Sequence, residues 1–130
     1  MKKLIVGLLL LLAPLAEAQN SNLGACPYPS NVLQARYSEM LTVSSTALPL
    51  TVATYRPGQG APNAVCALIA VNTNSISWWA HGATPTASDG IINASATSIS
   101  LGVNNMAQFK MIRATGTDAE VAIQYFVLTQ

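Results

Sequence analysis

From Leu48 onward the chain is cut into short apolar segments by turn-forming residues, at a spacing of roughly ten residues. No apolar pattern with a helical period runs long enough between the cuts to make an ordinary helix. Such segments bury their apolar sides only by lying in sheets. The expectation is therefore an all-β fold: a single antiparallel β-sandwich, jelly-roll-like, of about eight short strands. No repeat recurs at a fixed period, so a solenoid is excluded. With 130 residues there is room for one domain.

Leu48 to Tyr55 reads as a strand, with Leu48, Leu50 and Val52 alternating against Pro49, Thr51 and Ala53. Pro49 lacks an N–H and belongs at a strand start or a sheet edge. Arg56 to Asn63 is a Gly- and Pro-rich loop. Ala64 to Val71 is apolar throughout and reads as a strand buried on both faces. Asn72-Thr73-Asn74 turns the chain.

Ser75 to Ala80 is two-sided. Ile76, Trp78 and Ala80 fall on one face; Ser75, Ser77, Trp79 and His81 fall on the other. This places Trp78 in the core and Trp79 on the more polar face beside His81. Gly82 to Ser88 is a loop shaped by Pro85, and Asp89-Gly90 is a turn signal. Short strands are expected at Ile91-Ile92 and at Thr97 to Leu101, then around Phe109 and Met111. Gly102 to Asn105 is read as a turn, and Thr115 to Asp118 as a hairpin turn. Glu120 to Leu128 closes the domain with Val121, Ile123 and Tyr125 on one face.

The N-terminus has the pattern of a cleaved signal peptide over residues 1–18. Lys2 and Lys3 precede an apolar run from Leu4 to Ala13, and Ala16-Glu17-Ala18 is a small-x-small cleavage site. The run is shorter than the roughly 20 residues that span a bilayer. Residues 19–40 are read as an N-terminal arm and 41–130 as the sandwich. A short helix and an irregular crossing both fit residues 32–40, with a short strand following at Met40 to Val43.

Of six Lys/Arg and five Asp/Glu, Lys2, Lys3 and Glu17 leave with the signal, so four of each remain and the net charge is zero. That gives no footprint for nucleic acid and, after signal cleavage, none for membrane. The expected location is secreted, periplasmic or at the cell surface. Near-zero charge favours association, so self-association or contact with other structural subunits is expected.

Export favours a disulfide between Cys26 and Cys66. Closing that loop is worth about 4 kcal/mol in the chain-entropy model. Leu23-Gly24-Ala25-Cys26 also has the form of a lipoprotein processing box. The polar Gln19 to Asn22 before it stand where the apolar run should directly precede such a box.

The sequence offers little for catalysis. His81 is the only imidazole available to activate a serine, and no Gly-x-Ser-x-Gly elbow is present. Glu39, Asp89, Asp118 and Glu120 do not form a pair suited to hydrolysis; Asp89, Asp118 and Glu120 read as turn or solvated residues. One histidine and two paired cysteines cannot make an ordinary zinc site, and no phosphate loop or dinucleotide fingerprint occurs. No enzyme activity, cofactor or metal is expected. Asn93-Ala94-Ser95 fits the glycosylation sequon. Trp79, His81, Thr84 and Thr86 are the candidate binding residues. They suit a protein interface, in which aromatics are enriched, or alternatively a secreted carbohydrate-binding module in which Trp79 and the 82–89 loop contact a glycan or cell-surface ligand.

The segment Gly82-Ala-Thr-Pro-Thr-Ala-Ser-Asp-Gly-Ile91 resembles one found in small structural proteins of tailed bacteriophages and related prophage chains. Met106 to Ile112 and Asp118 to Phe126 resemble the strands that follow it. The resemblance runs from about Leu48 to Phe126, with His81 where Asp is usual and Asn93 where an apolar residue is usual. It implies a β-sandwich capsid, fibre or decoration module without catalytic residues, and the virion as an alternative location.

Overall fold

A computed structural model describes residues 26–130. The expected signal segment and the first seven residues of the expected arm lie outside them. Among the described residues, eight strands form two antiparallel four-stranded sheets, so the expected all-β sandwich is what they adopt. In chain order the strands are β1 (Leu33–Val43), β2 (Leu48–Pro49), β3 (Cys66–Thr73), β4 (Ile76–Trp79), β5 (Ile91–Asn93), β6 (Thr97–Gly102), β7 (Lys110–Arg113) and β8 (Ala119–Leu128). The first sheet has the order β1-β8-β3-β6 and the second β2-β7-β4-β5.

The core follows from strand alternation. In β8, Ala119, Val121, Ile123, Tyr125 and Val127 are all buried, while every other residue is half-buried or exposed. Ala67, Ile69 and Val71 of β3 and Ile99 and Leu101 of β6 add to the same layer. Ile76 and Met111 face them from the second sheet. Leu50, Tyr55, Met106 and Phe109, from the connections between strands, fill the remaining space. Each fully buried large side chain of this set contributes about 1.5–3 kcal/mol.

Several local expectations give way. The strand expected at Met40 to Val43 is present but begins at Leu33: residues 33–40 form neither a helix nor an irregular crossing but the first part of an eleven-residue edge strand, paired with β8 from Leu33↔Leu128 to Val43↔Ala119. A bulge at Arg36 and the inward-facing Glu39 break the apolar alternation that marks a strand in sequence. The arm thus ends at Val32. The strand expected over 48–55 stops after Pro49, and Val52–Tyr55 makes one helical turn, α1, closed by Arg56 N–H donating to the Val52 carbonyl. Leu50 and Tyr55 still reach the core, whereas Val52 is 58% exposed. Val103–Met106 likewise forms a helical turn, α2, where a plain turn is expected.

β3 is not buried along both faces: on its outer side Cys66 is buried but Leu68 and Ala70 are only half-buried. Thr115 to Asp118 is not a hairpin, because β7 and β8 belong to different sheets. It is a crossover, as is Asn74-Ser75 between β3 and β4; the turn expected at Asn72 to Asn74 begins only after Thr73, where β3 ends. The two crossovers are tied together by Asn74 Nδ2, which donates to the Asp118 carbonyl at 2.7 Å. Asn74 adopts a φ of 56°, a left-handed conformation that Asn tolerates better than most residues.

Candidate functional site

Strand β4 carries both tryptophans and separates them as its alternation predicts. Trp78 packs on the core, with its ring 5.5 Å from that of Phe109. Its indole N–H donates to Asn93 Oδ1 at 2.8 Å, and Asn93 Nδ2 in turn donates to Thr97 Oγ1 at 3.1 Å. The amide of the expected sequon is therefore committed to holding β5 and the start of β6 against Trp78.

Trp79 points to the outer side of the second sheet. His81 meets its ring edge-on, at 4.9 Å between centroids. Lys110 lies beside Trp79 in the sheet register, and its Nζ donates to Thr84 Oγ1 at 3.4 Å. Trp79, His81 and Thr84 thus share one outer surface with a lysine that sequence reading did not include. Thr86 is occupied otherwise: its hydroxyl accepts from Asp89 N–H at 3.0 Å, and its own N–H donates to the Asp89 carbonyl. It closes the tip of the loop.

That loop, residues 81–90, forms a strap over β4. Gly82, at φ 89°, anchors one end by donating its N–H to the Gln108 carbonyl. Pro85 is buried while its neighbours are exposed. At the other end Gly90 presses on the strand: a Cβ there would collide with Ser77 Oγ and lie 3.1 Å from the Trp78 nitrogen. Ser77 is fully buried, and its hydroxyl has no hydrogen-bond partner.

The outer side of the first sheet has a different character. The register places Met40, Ala122, Ala70 and Ser98 in one row across the four strands. Ser38, Gln124, Leu68 and Ser100 form the next row. Neither row contains a charged side chain; Glu120 lies one row further out, opposite Thr42. Met40 is 62% exposed, and a hollow of about 500 Å³ lies beside it, lined by Leu68, Ala70 and Ala122 and by Ser38, Glu39 and Gln124. Residue-type reasoning missed this face, although the uncharged alternate positions Ala122, Gln124 and Phe126 of β8 were a visible signal.

Cys26 and Cys66 form the expected disulfide. Cys66 is paired with Phe126 and Gly102 on this same outer side, so the bond pins the arm across one end of the face.

Between the sheets, Glu39 faces inward from β1. Its Oε1 accepts the Tyr125 hydroxyl and, at 3.2 Å, the Thr51 N–H. Tyr55 stacks at 5.8 Å from Tyr125. Burial, reinforced by the hydrogen bond and the negative charge of Glu39, pushes the Tyr125 phenol well above its usual range. The arrangement satisfies a buried hydroxyl and fixes β1 to β8.

Among the described residues, no three His, Cys, Asp or Glu side chains are grouped to hold a metal ion, and no helix is long and apolar enough to cross a membrane. No protein-family model, curated protein or solved structure matches the chain.

Proposed function

We propose that this protein is a non-enzymatic subunit that acts by contact, packing the outer face of its first sheet against another subunit of an assembly. One observation carries the reading: the two central rows of that face hold no charge and expose Met40 beside a hollow that Leu68, Ala70 and Ala122 line together with Ser38, Glu39 and Gln124. Depletion of charge from a partly apolar centre is how stable protein contacts are composed. The resemblance of Gly82 to Ile91 to virion structural modules supports the same reading. The disulfide fits a location outside the cytoplasm, secreted, periplasmic or on a particle surface.

Sedimentation velocity over micromolar concentrations tests this. The protein should form a defined oligomer, and Met40→Glu should weaken it about tenfold or more, a loss of about 1.4 kcal/mol, with the circular dichroism unchanged. A strict monomer at every concentration contradicts the proposal.

The cluster of Trp79, His81, Thr84 and Lys110 supports a second reading, glycan binding on the opposite face. Indole fluorescence titrated with a broad set of glycans should then respond, and Trp79→Ala should lose the response. No response from any glycan removes this reading.

A further inference from the structure

Around Trp79 the second sheet gathers hydrogen-bond donors without an acid to receive them. Of the two indole N–H groups, that of Trp78 is committed to Asn93, and that of Trp79 has no acceptor among the described residues. His81 lies exposed against the same ring. The strand register sets Lys110 next to Trp79, and Thr84 Oγ1 accepts from one of the three ammonium hydrogens. The carboxylates of the described residues lie elsewhere. Asp118 pairs with Arg113, Glu39 is turned between the sheets, and Glu120 belongs to the other sheet. Asp89 stands at the tip of the strap, and no ion pair joins it to Lys110.

The fold holds these groups in place. Gly82 N–H donates to the Gln108 carbonyl, two residues before Lys110, and so brings the strap and its Thr84 beside β7. Trp79 and Lys110 are half-buried, so ring and aliphatic stem are packed at their bases while their outer parts stay open. Groups already fixed lose little freedom when a ligand arrives.

We infer that the ligand of this surface is an acidic glycan, a pyranose stacked on the Trp79 ring with its carboxylate on the Lys110 ammonium. This rests on the glycan reading proposed above and names its ligand class. A carboxylate takes the remaining ammonium hydrogens in charge-assisted bonds, roughly twice as strong as the neutral bonds a hydroxyl would make. Thr84 and His81 are left for the ring hydroxyls. The formal net charge of the chain is only +1, so it exerts no general pull on anions and the preference falls to Lys110.

The test is indole fluorescence with a glycan panel in which each uronate- or sialate-bearing oligosaccharide is matched with its carboxyl-reduced neutral form. The native chain should bind an acidic member about tenfold more tightly than its neutral match. Lys110→Gln should bind the two forms alike, at the neutral affinity. Raising the salt from about 50 mM to about 500 mM should narrow the native preference, since the ammonium is partly open to solvent; this reads the same charge should the variant fail to fold. Equal binding of matched pairs by the native chain, or a preference that survives Lys110→Gln or high salt, shows the acidic class to be wrong while glycan binding stands. No response from any member of the panel overturns both.

Discussion

Tyr125 is fully buried at the middle of its strand, and its hydroxyl can reach only what the fold brings to it. Glu39 supplies the acceptor from β1. Removing the hydroxyl in Tyr125→Phe should cost about 1.5 kcal/mol, the scale of a hydrogen bond to a charged group. Burial and Glu39 raise the phenol above its ordinary value near 10, so the folded chain keeps this proton after the unfolded chain has lost it. The Tyr125 contribution is complete below about pH 10 and is lost as the pH rises beyond it. Urea unfolding at rising alkaline pH should show the native chain losing stability faster than Tyr125→Phe; parallel curves would contradict this. The pair was not legible in the sequence. A Glu at an inward position looks like an interruption of the pattern, and its partners Tyr125 and Thr51 lie on other segments. The division between Trp78 and Trp79 was legible, because period-two alternation is a property of the strand alone.

The strap over β4 is the element whose fit is most exacting. Gly90 gives the close approach, and the cost is a buried Ser77 hydroxyl with no partner. Ser77→Ala should therefore raise the melting temperature, since it removes an unpaired polar group worth about 1–3 kcal/mol while keeping the backbone. Gly90→Ala should lower stability by about 1–3 kcal/mol through overpacking. Calorimetry of the two variants checks both signs, and a destabilised Ser77→Ala would show that the hydroxyl is satisfied. The strap was read correctly as a Pro-fixed loop ending in Asp89-Gly90. Its pressure on Ser77 was not, because close approach is a relation between segments. The same reason explains β1, β2 and the Thr115 to Asp118 crossover. Turn chemistry marks where a chain reverses, but not whether the next strand joins the same sheet or the facing one.

At the scale of the molecule, the two outer surfaces differ. The second sheet is overlaid by the strap and presents Trp79, His81 and Lys110. The first presents an open, uncharged centre, with the disulfide-pinned arm at one end. The number of strands and the buried positions of β8 were readable from spacing and alternation. The rows across the first sheet needed the register, since Met40, Ala122 and Ala70 come from strands far apart in the chain. The central claim is that contact occurs through those rows. The direct measurement is methyl NMR over a concentration series. Met40, Ala70 and Ala122 methyl resonances should shift together as concentration rises, while Ile92, exposed on the second sheet, stays fixed. Shifts at Ile92 and the Trp79 ring, with Met40 and Ala122 unmoved, would contradict it.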